Sequence, residues 1–219
     1  MRKLSLSAFI AISFLIVPFL VGVHGESVGV VPGNNSSALA YLPDVRQGTN
    51  YTCGVSTLQA VLHYWGIPAE EDDLARMLNT TSESGTYPQD MVRVASSMGL
   101  DAEFRDNVTL EELRDSLRQG FPVIIDGQAW RDPADNGTPW SDEWDEGHYM
   151  VVLGMDDQNV YLEDPYMLGG RGFMPRQEFL ERWHNPRGLS PTDDVLQIHL
   201  GIFIRGDEPS APVPFRHID

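Results

Sequence analysis

Four polar residues have the types and order that amide hydrolysis by a thiol requires: Gln47, Cys53, His148 and Asp164. Cys53 is the only cysteine in the chain, and a periodic apolar segment starting at Val55 follows it at once. That spacing places the sulfur in the first turn of a predicted helix, with Thr52 as N-cap. Unpaired N–H groups and partial positive charge gather there, which favours a nucleophilic thiolate. The plainer reading is a small buried hydrophobe, the commoner use of a free cysteine.

A nucleophile of this kind needs a base, a group that orients the base, and donors for the oxyanion. His148 follows Gly147 at the entry to the apolar run 149–155, so its ring is held at the mouth of a predicted strand. Asp164 closes the next predicted strand, in Tyr161-Leu162-Glu163-Asp164-Pro165. If the strands 149–155 and 160–163 form a hairpin, His148 and Asp164 stand together at its open end. A carboxylate there fixes the imidazole tautomer and stabilises its charged form. Taken alone, His148 could be a strand-edge histidine touching water, and Asp164 a turn residue before Pro165. Gln47 lies six positions before Cys53, where its amide and the Cys53 backbone N–H could converge on one point. The other mature histidines have plainer readings. His63 sits inside the first helix, near Gln59; His184 ends a short helix; His199 lies on the polar face of the last strand; His217 is in the tail.

The elements that position these residues come in two blocks. Helical spacing runs over 53–65, where Val55, Leu58, Val61, Leu62 and Trp65 mark a buried face, and further helices are predicted over 70–78, 87–98 and 109–118. Thr109 and Glu112 form a capping-box pattern. The period then changes, and strands are predicted over 122–126, 149–155, 160–163, 172–174 and 196–204, with a short helix inserted over 176–183. Helices first and an antiparallel sheet afterwards make an α+β fold.

The whole chain has 219 residues, 42% of them hydrophobic, which suffices for one packed domain. A formal net charge of -17 argues against nucleic acid and anionic membrane surfaces as partners. Arg2, Lys3 and the apolar run that follows resemble an export signal over 1–25; left uncleaved, it would be a membrane anchor and the chain's one link to a bilayer. A flexible linker is expected over 26–40, a single domain over 41–206 and a disordered tail over 207–219. A secreted or extracytoplasmic monomer follows. Asn-x-Ser/Thr sequons at Asn34, Asn35, Asn50, Asn79, Asn107 and Asn136 agree with export, although a glycan on Asn50 would crowd Cys53. A lone cysteine forms no intramolecular disulfide, and outside a reducing cytosol it needs a purpose. No phosphate loop, HExxH or cysteine pair is present, so no cofactor is expected.

Gln47-x5-Cys53-Gly54, Gly147-His148-Tyr149-Met150-Val151-Val152 and Asp164-Pro165, in this order, resemble the C39-type cysteine peptidases, a papain-like family. The resemblance spans about 41–204. It implies a papain-like fold and hydrolysis of a peptide or protein substrate, with Cys53 as nucleophile, His148 as base then acid, Asp164 as its orienter and Gln47 as oxyanion donor. Thr52 stands where many members have Asp. The export signal does not suit the family's intracellular leader-processing members, so their substrate is not carried over.

The segment 128–146 holds Trp130, Trp140 and Trp144 and ends against His148. It is expected to form one wall of the cleft, the three tryptophans contacting substrate, and its acidic residues would suit a basic or amine-bearing substrate or a calcium ion. A solvated loop pinned to the core by its tryptophans is the alternative. The residues also leave open acyl transfer by the same chemistry, a non-catalytic peptide-binding module, and a metal site made of Cys53, His148 and Asp164.

Overall fold

Val55, Leu58, Val61 and Leu62 recur at helical spacing and are fully buried along one face of α1 (Cys53–Tyr64). In this computed structural model the residues described are 37–39, 42–133, 137–167, 171–186, 188 and 196–210, all within the unit Pro32–Asp219. The expected export signal lies outside them, as do 26–36 of the linker and 211–219 of the tail. No helix among the described residues is long and apolar enough to cross a membrane.

A short strand, β1 (Ser37–Ala38), precedes α1. Two helices follow α1. In α2 (Glu71–Met77) the acids Glu71, Asp72 and Asp73 crowd the positive end, and α3 (Pro88–Ser97) starts on proline, which lacks the N–H that would go unpaired there. After β2 (Asp101–Arg105) comes α4 (Leu110–Arg118). It carries the predicted capping box: Glu112 N–H donates to Thr109 Oγ1 at 3.2 Å, and Thr109 N–H to Glu112 Oε2 at 2.8 Å. The sheet-forming half contains β3 (Val123–Gln128), β4 (Gly147–Met155), β5 (Asn159–Glu163), β6 (Gly172–Pro175), α5 (Arg176–Arg182), β7 (His184–Asn185), β8 (Gln197–Ile198) and β9 (Gly201–Arg205). Among the described residues, seven strands form one antiparallel sheet in the order β2-β9-β3-β4-β5-β6, with β1 added on β4; β7 and β8 make a separate pair.

Alternation along β4 sorts its residues between two cores. Tyr149, Val151 and Leu153 pack with Leu58, Val61 and Leu62 of α1. Met150 and Val152 pack on the other face with Leu113 and Leu117 of α4, Phe179 of α5, and Trp183. Both faces are covered, which is why 149–155 reads as an unbroken apolar run. Its far end is fixed by β1, where Ser37 pairs with Met155 and Leu39 N–H donates to Leu153 O at 2.8 Å. The end of the expected linker is therefore ordered into the sheet.

Three further departures have physical causes. β2 was not predicted, because it is a half-exposed edge strand held by charge: Arg205 pairs with Asp101 at 3.1 Å and Glu103 at 2.7 Å across the ladder. The last strand is not continuous over 196–204. His199 takes a positive φ of 52°, so 197–198 pair with β7 while 201–205 return to the main sheet. His199 thus leaves the polar face expected of it and stacks on Trp183 at 4.8 Å. Finally, the start of the expected tail is held: Ser210 N–H donates to Tyr64 O at 2.6 Å and its hydroxyl to His63 O at 2.8 Å.

Candidate active site

Cys53 is the first residue of α1 and half-buried. Thr52 is the N-cap, but with φ -99° and ψ 16° its hydroxyl does not cap the helix. It serves the preceding turn instead, accepting from Thr49 N–H at 3.1 Å and donating to Thr49 O at 3.3 Å. The N–H groups of the first turn therefore have no side-chain cap. Gly54 must follow the cysteine: a Cβ there would come within 2.6 Å of Met91 Cε and 2.8 Å of Thr86 Cβ. Cys53 borders a narrow cleft of about 150 Å³, walled by Tyr51, Thr86, Asp126, Gly147 and Tyr149 among others.

His148 enters β4 beside that cleft and is buried. Its register is set twice, by β3 (Gly127 opposite His148) and by β5 (Val151 opposite Glu163). The second pairing brings Asp164, one residue past β5, to the imidazole: His148 Nε2 lies 2.7 Å from Asp164 Oδ1. With Nε2 occupied, Nδ1 is the ring nitrogen left to face Cys53, which is near enough to the imidazole to raise its pKa. Asp164 is itself fixed by Tyr166 N–H to Oδ1 and by the Trp130 indole N–H to Oδ2, both at 2.9 Å.

Burial disfavours charge on His148, but the hydrogen bonds and negative charges of Asp164 and Cys53 prevail and raise its pKa from 6.5 to about 10. Burial likewise opposes ionisation of Asp164; hydrogen bonding and charge from His148, with the Tyr166 and Trp130 donors, outweigh it and hold the carboxyl below its ordinary range. The arrangement keeps a proton on the imidazole and a charge on its carboxylate partner.

Gln47 is moored close by, its N–H donating to Pro165 O at 2.9 Å. Its side-chain amide turns back on its own loop and donates to Thr49 O at 2.7 Å; Gln47 is not among the residues lining the cleft at Cys53. An amide nitrogen has two hydrogens, so one remains for another acceptor. Glu163, unremarked in the sequence, is fully buried and accepts from Val45 N–H at 3.3 Å, tying the Gln47 segment to β5. Burial, countered by that N–H, pushes the Glu163 carboxyl from 4.5 up to about 8. Strand alternation could have revealed it: Tyr161 and Glu163 share a face opposite Val160 and Leu162.

The three tryptophans of the 128–146 segment have separate fates. Trp130 takes a positive φ of 59°, rare for a bulky residue, and this turns its indole onto Asp164. Trp130 and Trp140 line a second cavity of about 610 Å³ that reaches Asp164. Trp144 is not among its lining residues; it packs on the His184 ring at 4.2 Å. His184 does not end a helix: it is buried in β7, its Nε2 2.6 Å from Glu143 O. His63, as expected, has a structural place, its Nε2 3.1 Å from Ala69 O. Among the described residues no cluster of three or more His, Cys, Asp or Glu could hold a metal ion.

Comparison with known proteins places this geometry among relatives. A family model described as the Peptidase_C39 like family matches residues 40–191. An uncharacterized protein of Methanothermobacter marburgensis is 32% identical over 123 residues, which cover 56% of this chain and 71% of that protein. A crystal structure described as a C39-like peptidase from Bacillus anthracis superposes with a TM-score of 0.59 at 20% identity, covering 80% of this chain and all of the other. A double glycine motif protease from an AMS/PCAT transporter, solved in complex with the leader peptide, superposes with a TM-score of 0.51 at 20% identity, covering 77% and 95%. These likenesses establish a papain-like α+β fold.

Proposed function

The chain belongs to the Peptidase_C39 like family, and we propose that it is a cysteine peptidase acting through Cys53, His148 and Asp164. The observation that carries this reading is the 2.7 Å contact from Asp164 Oδ1 to His148 Nε2, with Cys53 near enough to the same imidazole to raise its pKa. A peptide substrate is further supported by the leader peptide bound to the transporter protease of the same fold.

In the proposed reaction Cys53 attacks as a thiolate beside the protonated His148, its Sγ bonding to the carbonyl carbon of the substrate as the C=O electrons move to oxygen. The oxyanion is met by the Cys53 backbone N–H at the start of α1 and by the Gln47 amide, which swings from Thr49 O to the developing charge. His148 protonates the leaving amine, the C–N bond breaks, and an acyl-thioester remains. Water then attacks the thioester and gives a proton to His148, the C–S bond breaks, and Cys53 leaves as the thiolate beside the protonated imidazole as the acid departs. Arg2, Lys3 and the apolar run after them support export of the enzyme before it acts.

The direct test is incubation of the purified chain with a complex peptide mixture, followed by mass spectrometry of the new termini. The reading expects new termini that disappear with Cys53→Ala; cleavage that persists in that variant, or no cleavage at all, contradicts it. Gln47→Ala is expected to lower kcat by about 10²-fold, the usual cost of one oxyanion donor, with KM little changed. A loss below threefold would take the Gln47 amide out of the reaction.

A further inference from the structure

The second cavity carries a charge that its surroundings do not. The chain's formal net charge is -17, yet the 610 Å³ cavity beside Asp164 is lined by Arg131, Arg171 and Arg182. Arg131 and Arg182 stack on the Trp140 ring, with their guanidinium carbons 3.7 and 3.5 Å from its centroid. Both side chains are largely buried, 12% and 16% exposed. Each has one carboxylate neighbour: Glu143 lies 3.4 Å from Arg131, and Glu178 pairs with Arg182. Those carboxylates balance two of the three cations. They do not satisfy the forks: Arg131 Nε faces Glu143 Oε2 at 3.4 Å without hydrogen-bond geometry, and Arg131 Nη2 and Arg182 Nε have no hydrogen-bond partner. Asp164 also lines the cavity, but its carboxylate is paired with His148, so Arg171 supplies the surplus charge; it donates to Leu42 O at 2.7 Å. Those three nitrogens of Arg131 and Arg182 are closed to solvent, so an incoming anion meets the two arginines through the parts of their side chains that remain exposed, and meets Arg171 beside them. Met150, Leu162, Phe173 and Met174 supply apolar lining beside them.

We propose that this cavity is a subsite for a carboxylate with an apolar neighbour, carried by the peptide substrate. The proposal rests on the peptidase reading and deepens it by naming the substrate class. It also reverses the preference expected from the acidity of the 128–146 segment, because that segment turns Arg131 into the cavity. Coulombic attraction in such a partly desolvated pocket favours peptides bearing an acidic side chain or a free C-terminus over neutral ones. The Trp130 indole forms part of the wall and also holds Asp164, so a filled subsite adjoins the residue that orients His148.

Binding is measured on the full chain carrying Cys53→Ala, so that turnover plays no part and a failure of the peptidase reading is seen separately. Apolar hexapeptides are titrated in four forms, with Glu or Gln at one position and a free or amidated C-terminus, and affinity is read calorimetrically. Forms with a carboxylate are expected to bind at least tenfold tighter than the Gln amide. The Glu amide and the Gln acid then show whether side chain or terminus is preferred. The advantage should vanish in R131M/R182M. As a second readout on the unsubstituted arginines, the carboxylate peptide is expected to slow phenylglyoxal labelling of Arg131 and Arg182, mapped by peptide mass. Equal affinity for acid and neutral forms, an advantage that survives the double variant, or unprotected arginines overturn the proposal.

Discussion

Replacing Cys53 with alanine is expected to lower kcat/KM by about 10⁵-fold, the scale on which loss of a nucleophile disables a catalytic triad. The expectation rests on position. The sulfur lies at the start of α1, where the first-turn N–H groups have no side-chain cap, and Cys53 is near enough to His148 to raise its pKa. The folded state should barely register the change, since Cys53 is half-buried at the edge of the core rather than inside it. An unchanged melting temperature with cleavage abolished is therefore the expected pair of results. Cleavage that falls only in proportion to lost folded protein would make Cys53 a packing residue.

Asp164→Asn should have the next largest effect, about 10³- to 10⁴-fold in kcat, because an amide can hold the imidazole in the wrong tautomer and cannot stabilise its charge. The substitution also shifts the pH profile, and the sign follows from His148. Its folded pKa is raised from 6.5 to about 10, so the charged imidazole persists through neutrality and is lost as pH rises through about 10. The stability it contributes is complete below about 6.5 and gone above about 10. Removing the Asp164 hydrogen bond and charge withdraws two of the causes, so the alkaline fall in activity should move to lower pH. Trp130→Phe keeps the ring and deletes one donor to Asp164. It should shift the profile the same way with a smaller loss, about 10-fold, in line with one hydrogen bond to a charged group. Rate and alkaline limb both unchanged in Asp164→Asn would leave that carboxylate as a turn residue.

How far these positions were legible in the sequence depended on how local their signals are. Cys53 could be placed because helical spacing begins at Val55, and His148 with Asp164 because both stand at the open end of one hairpin, although its register slips by one between Val152 and Gly154. The capping box at Thr109 was equally plain, being a pattern within one turn. What was missed depends on contacts far apart in the chain. The link from Trp130 to Asp164 spans 34 positions and requires a positive φ that no residue type announces in a tryptophan. The break at His199 is decided by the pairing of 197–198 with 184–185, which an alternating run cannot disclose. The arginine cavity was obscured by net charge, an average that hid where Arg131 and Arg182 point.

The central claim is that Cys53 and His148 work as a pair, and it can be tested without knowing any substrate. The rate at which iodoacetamide alkylates Cys53 at neutral pH is compared between the wild-type chain and His148→Ala. The wild-type sulfur is expected to react at least tenfold faster. Equal rates in the two proteins would contradict it.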